Sequence, residues 1–208
     1  DGTITATGNG TATVTVTAGG KSAAVTVTVS QKTEKVSITL GGQKVSGTLK
    51  AKKGAKYQFK AVVAPTNADK KNAKVKWKTS NKKVATVTSN GKVTVKQSGK
   101  TVTITATTAD GKKASVKLKT QKSAVKVTKL AIKGNKTMKV KGTQKLKLTV
   151  NPATADNAKV AWSSSNTKVA TVDKNGKVTA KKKGTVTITA KAKDGSGKKA
   201  TIKITVKK

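Results

Sequence analysis

The side chains of this sequence that could move a proton or hold a metal are few and scattered. Seven carboxylates, Asp1, Glu34, Asp69, Asp110, Asp156, Asp173 and Asp194, fall in separate loops, and no loop brings two of them close together. Glycoside hydrolysis needs two carboxyls facing one bond at roughly 5 to 9.5 Å, a pairing this spacing does not offer. The absence of histidine and cysteine removes Ser-His-Asp and Cys-His nucleophiles, thiolate sites and imidazole ligands. The patterns nearest to a hard-cation loop are Asp173 with Asn175 and the run Asp194-Gly195-Ser196-Gly197. Calcium takes about six to eight oxygens, several of them charged, and the flanking lysines oppose it. The expectation is a non-enzymatic chain with no catalytic, cofactor-binding or metal-ligating residues and no cofactor. Asn9-Gly10-Thr11 and Asn135-Lys136-Thr137 match the N-glycosylation acceptor pattern, a short motif that recurs by chance.

Charge points to partners instead. Lys and Arg total 46 against 7 acidic residues, for a net charge of +39, and every one of the basic residues is lysine. Such a field attracts polyanions, so anionic cell-wall polymer or acidic glycan are the expected partners. Sequence-specific nucleic-acid binding is not expected. Base edges and phosphates are read best by the planar guanidinium fork, and two Trp, one Tyr and one Phe make no stacking platform. Lysines alternate with apolar residues in Lys74-Val75-Lys76-Trp77-Lys78, Lys139-Val140-Lys141 and Lys145-Leu146-Lys147-Leu148, which places them on outward strand faces. Two readings follow: lysines that keep strand edges from pairing with other molecules, or a polyanion-binding face. No apolar run approaches the roughly 18 residues of a membrane span, so none is expected. Any secretion or sorting signal would lie upstream of Asp1.

The elements that carry these side chains come from a repeat. Trp162 to Gly184, WSSSNTKVATVDKNGKVTAKKKG, stands 85 residues after its counterpart Trp77 to Gly99, WKTSNKKVATVTSNGKVTVKQSG, and a third copy, cut at its front, opens the chain. A period of that length suits a small sandwich with its own core. The expected modules are residues 1–30, the C-terminal part of a truncated copy, and complete copies at 31–120 and 121–208. The strands that residues 1–30 supply are expected to pair with another chain or with missing upstream residues. Connectors of about four residues at Gln31–Glu34 and Gln121–Ala124 predict a stiff rod.

Period-two alternation predicts strands throughout and no helix. In the first copy they fall at 3–7, 11–17 and 23–29. In the second they fall at 35–40, 44–51, 56–64, 73–78, 83–88, 92–96, 101–107 and 114–119. In the third they fall at 126–132, 136–141, 144–151, 158–163, 168–173, 177–181, 185–191 and 199–206. Gly19-Gly20, Asn90-Gly91 and Asn175-Gly176 read as tight hairpins. Thr79-Ser80-Asn81 and Ser164-Ser165-Asn166 read as turns. Trp77 and Trp162 alternate inward with Val75 and Val160, which assigns them to cores.

With these letters in place, the run V-x-W-x-S-S-N-x-x-V-A-T-V-x-x-N-G-x-V-T-A-x-x-x-G-T-x-x-I-T-A from Val160 to Ala190 resembles the bacterial immunoglobulin-like domain of group 2. Gly142, Leu146, Val150 and Pro152 match its opening half. The second copy departs at Lys78-Thr79 and Val95, and counted from Gly54 to Pro65 it carries one extra residue. The resemblance implies an all-β fold of tandem Greek-key sandwiches in an extracellular, bacterial cell-surface or secreted protein. It implies a non-catalytic structural or adhesive spacer; the alternative is a lysine-rich binding module, or an accessory part of a larger secreted enzyme or phage tail protein.

Overall fold

A computed structural model describes residues 2–208. It contains two compact units. One comprises the chain through Thr48 with Lys56–Lys96 and Thr101–Leu118; the other comprises Leu49–Ala55, Gln97–Lys100 and Lys119–Lys208.

The chain opens with a two-stranded hairpin, β1 (Gly10–Ala18) and β2 (Lys21–Val29). Gly19 and Gly20 turn it at φ of 55° and 76°, the left-handed pair a two-residue hairpin requires. Residues 3–7, expected as a strand, lie outside the regular structure. Val14 faces Val25, and Val16 faces Ala23 across the hairpin, yet Val16 and Val25 are 66% and 55% exposed.

The second copy contributes β3 (Lys35–Leu40), β4 (Gln43–Val45), β5 (Thr48–Lys52), β6 (Lys56–Ala64), α1 (Lys70–Ala73), β7 (Val75–Thr79), β8 (Ala85–Val87), β9 (Lys92–Val95), β10 (Thr101–Thr108) and β11 (Lys113–Gln121). They form two sheets of order β4-β3-β6-β9-β8 and β5-β11-β10-β7. Alternate residues point into the core between them, among them Ile38, Phe59, Val93, Ile104 and Leu118, each at most 1% exposed. The third copy contributes β12 (Lys129–Lys133), β13 (Thr137–Lys139), β14 (Thr143–Lys145), β15 (Lys147–Asn151), β16 (Val160–Ser164), β17 (Ala170–Val172), β18 (Lys177–Ala180), β19 (Gly184–Ala192) and β20 (Lys199–Lys207). Here the sheets are β13-β20-β19-β16, β12-β15 and β14-β18-β17. Met138, Leu146, Val178, Ile188 and Ile204 build the larger core cluster, with Trp162 packed against it.

Further expectations change: the strands expected at 44–51 and 144–151 are each broken in two, into β4 with β5 and β14 with β15. The helix α1 was not foreseen; it is a single turn capped by the Asp69 carboxylate, which accepts from Lys71 N at 2.8 Å. It occupies the stretch between proline and tryptophan where the second copy is two residues longer than the third, too short for any periodicity to show. The extra residue counted from Gly54 also disappears. Lys53 N bonds Gln121 O and Ala55 N bonds Lys52 O, as Val140 N bonds Lys207 O and Gly142 N bonds Lys139 O, so Gly54 corresponds to Lys141 and not to Gly142. Gly54 has φ 85° and Lys141 has φ 67°, the only described non-glycine residue with positive φ. A side chain in the left-handed region costs about 1 to 2 kcal/mol, against roughly 0.5 to 1 kcal/mol for the extra freedom of glycine in the unfolded chain. Lys141→Gly should therefore stabilise the third copy by about 0.5 to 1 kcal/mol, read as a higher urea midpoint at unchanged slope.

Candidate functional site

In a chain of modules, the places where function can reside are the joints and the exposed faces. Each complete copy grips the segment that enters it with two aspartates. In the second, Asp110 at the β10–β11 turn accepts from Thr33 N at 2.7 Å and from the Thr33 hydroxyl, while the Thr108 hydroxyl donates to it at 2.6 Å. Asp69 accepts from the Ser30 hydroxyl at 3.0 Å, and its own N–H donates to Gln31 O at 2.9 Å. In the third, Asp194 at the β19–β20 turn accepts from Val127 N at 2.5 Å and Ser196 N at 2.9 Å. Asp156 accepts from Val125 N at 2.7 Å and returns its N–H to Val125 O at 2.9 Å. The entering residues are sealed: Thr33, Val125 and Val127 are buried. In the third copy the two carboxylates accept from linker backbone positions two residues apart, Val125 and Val127, which fixes both the direction and the register of entry.

These bonds favour the charged carboxylate. The hydroxyls of Thr108 and then Thr33 hold Asp110 down to about 2, and Ser196 followed by the Val127 N–H holds Asp194 down to about 2. With folded values below the unfolded one, near 3.9, the contribution of the clasps is complete above pH ~4 and is lost as pH falls toward ~2. The amide proton shifts of Thr33 and Val127 should titrate with midpoints near pH 2, and Asp194→Asn should abolish the Val127 transition alone. A midpoint near 3.9 for either amide would show that the clasp is absent in solution.

The tryptophan motif is likewise built for backbone control. Asn81 and Asn166 side chains accept from Lys83 N and Lys168 N at 2.9 and 3.1 Å. Ser80 and Ser165 hydroxyls accept from Thr103 N and Thr187 N, both at 2.9 Å, tying the turn to the neighbouring long strand. Trp77 and Trp162 are half-buried, less enclosed than their alternation with valine suggested, and one edge of each indole lies over the Asn-Gly turn. A Cβ on Gly176 would lie 2.8 Å from Trp162 Cζ2, and one on Gly91 would lie 2.5 Å from Phe59 O and 3.1 Å from the Trp77 ring.

A model of the bacterial Ig-like domain (group 2) matches residues 43–118 and again 126–204. The chain belongs to this family. It is also 56% identical over 57 residues, 27% of its length, to an uncharacterized protein of Clostridium acetobutylicum. It is 40% identical over 73 residues, 35% of its length, to a 3-O-alpha-D-galactosyl-alpha-L-arabinofuranosidase of Bifidobacterium longum, and 46% identical over 63 residues, 30% of its length, to a lacto-N-biosidase of Bifidobacterium bifidum. It spans about 6% of the length of each of these relatives. Among solved structures, S-layer protein SbsC domains 4 and 5 align over 84% of this chain and 98% of that one, at 16% identity and TM-score 0.38.

Within these group 2 modules the aspartates singled out for calcium serve turns instead. Asp173 accepts from Asn175 N at 2.8 Å and Lys177 N at 2.9 Å, bonds that with the charges of Lys177 and Lys145 lower its pKa, the Lys177 N–H contributing most. Among the described residues no three acidic, His or Cys side chains gather as a metal set, and no helix is long and apolar enough to cross a membrane. Of the two glycosylation-pattern asparagines, Asn9 is engaged in the fold: its side chain donates to Asn67 O and accepts from Gln31 N, both at 2.6 Å. The clasp role of Asp110 and Asp194 is what reading the sequence missed. The signal was present as an Asp-Gly pair closing the last hairpin of both complete copies, where the opening copy has Gly19-Gly20.

Proposed function

We propose that this chain is a non-catalytic structural or adhesive spacer of a bacterial extracellular or cell-surface protein, made of tandem group 2 modules. The observation that carries the reading is the repeated aspartate clasp. A linker whose backbone is bonded into the module it enters has lost the freedom of a flexible tether, and that loss is useful where modules hold a functional head at a set distance. Family membership supports the reading, since these domains occur as non-catalytic repeats. Partial matches to two glycosidases support a second one, an accessory segment of a secreted enzyme.

The hairpin β1–β2 fits the same scheme. Its counterparts β10–β11 and β19–β20 cover their apolar residues, such as Ile104 and Ile188, with a second sheet. The Val16 and Val25 face is therefore assigned, as a proposal, to the corresponding sheet of a further module of this kind.

The spacer reading is tested by displaying a binding head on this chain at a bacterial surface and deleting residues 121–208. Capture of soluble ligand should be unchanged, while capture of ligand placed behind a thick glycan layer should fall. Loss of both would mean that the modules themselves form the binding surface.

A further inference from the structure

We infer that the outward face of β20 in the third module, with the cleft beside it, binds a linear chain of phosphate groups that carries no bases. Along β20, Lys199, Thr201, Lys203, Thr205 and Lys207 alternate outward and all are exposed, a cationic and hydroxylic track of about 26 Å at ~3.3 Å per residue. Neighbouring strands reinforce it with charge of the same sign. Lys191 stands directly opposite Lys199, and Lys139 directly opposite Lys207. On the adjoining pair β12–β15, Lys133 stands opposite Lys147. Beside the middle of the track an open cleft of about 770 Å³ is lined by Lys133, Lys136 and Lys203 together with Thr137, Thr201 and Thr205.

Like charges directly opposite on a sheet oppose folding, and no acidic residue lies on β12, β13, β15, β16, β19 or β20. Lysine that served only to protect edges or keep the chain soluble would not need such rungs. In the second module Lys76 and Lys78 stand opposite Thr107 and Thr105, and Lys92 stands opposite Gln58. The pair Lys145 and Lys177 is also opposed, but the carboxylate of Asp173 shares its field, so it is left out of the track. A bound polyanion removes the repulsion at the remaining rungs. The ligand chemistry follows from the donors. Ammonium groups and threonine hydroxyls bond oxygens of an anion as point donors, without the two-pronged fork of a guanidinium. The one aromatic of the module, Trp162, is packed on its core, so neither bases nor sugar rings find a stacking surface. A flexible phosphate chain, such as a polyol-phosphate wall polymer or inorganic polyphosphate, needs neither.

The test uses the whole chain, with long-chain polyphosphate, heparin and double-stranded DNA as probes from 50 to 300 mM NaCl, and holds whether or not the chain is a spacer. Compared are K199T/K203T/K207T and a control that removes the same charge from the second module, K76T/K78T/K92T. The track variant should lose about tenfold or more of its polyphosphate affinity at 150 mM salt and two to three units of salt slope, the control less than threefold. The melting temperature of the track variant without ligand should be equal to the parent or higher, which separates lost binding from lost fold. Equal losses in the two variants, no polyphosphate binding at 150 mM salt, or tighter binding of heparin or DNA at equal charge would each overturn the inference. A wall polymer of polyol phosphate, tested alongside, identifies the source of the phosphate chain: binding stronger than polyphosphate points to the cell wall, weaker to a free polyphosphate, and either agrees with the track.

Discussion

Gly176→Ala should remove roughly 2 to 5 kcal/mol from the third module, summing about 1 to 2 for a side chain at positive φ and about 1 to 3 for forcing a methyl into occupied space. Gly176 has φ 79° and its missing Cβ would meet Trp162 at 2.8 Å. Gly91→Ala should lie at the upper end of the range, because the atom 2.5 Å away is the backbone oxygen of Phe59, which cannot swing aside as a side chain can. Gly42→Ala is the matched control: φ is 77° but nothing lies within 4 Å, so only the ~1 to 2 kcal/mol conformational part applies. Since a domain of this size has roughly 5 to 15 kcal/mol in total, either hairpin substitution should leave its module marginal or unfolded. Urea unfolding followed by the amide signals of each module decides the matter. Costs for Gly91 and Gly176 no greater than for Gly42 would mean that the turn alone, and not the indole above it, fixes the glycine.

That second requirement on Gly176 marks where the sequence stops being readable. Alternation placed strands at 35–40 and 56–64 with the boundaries of β3 and β6, because each residue there faces either core or water and its type records which. Asn-Gly and Gly-Gly turns were equally plain, since positive φ restricts the letter. A carboxylate that caps a backbone amide is different. Asp110 meets Thr33 from 77 residues away and Asp194 meets Val127 from 67, and a backbone N–H looks the same whatever its residue. The lysine rungs were also hidden: outward lysines could be assigned strand by strand, but opposition depends on register, which only the paired strands reveal. Before the proline, where the copies are equal in length, alignment of letters placed Gly54 on Gly142, and only the hydrogen bonds moved it onto Lys141.

Trp162→Ala is the second large effect, about 3 kcal/mol, at the low end for tryptophan truncation because the indole is half-buried and leaves a cavity open to water on one side. Its value lies in the double mutant. With the indole gone, the space above the Asn175-Gly176 turn is free, and Gly176→Ala should then cost only the ~1 to 2 kcal/mol of its positive φ. The coupling between the two sites should therefore be about 1 to 3 kcal/mol in the direction of rescue. The second module should behave differently. Trp77 has an extra aromatic neighbour, Phe59, with ring centroids 6.5 Å apart, so Trp77→Ala loses about 0.5 to 1.5 kcal/mol more. Rescue of Gly91→Ala by Trp77→Ala should fail, because the closest obstacle at position 91 is the Phe59 carbonyl and not the ring. Unequal rescue in two copies with the same letters would show that one motif is held by two different packing constraints: a side chain over the turn in the third module, a backbone oxygen beside it in the second. Equal rescue in both would mean that the Phe59 carbonyl yields, and that the tryptophan governs the turn in each.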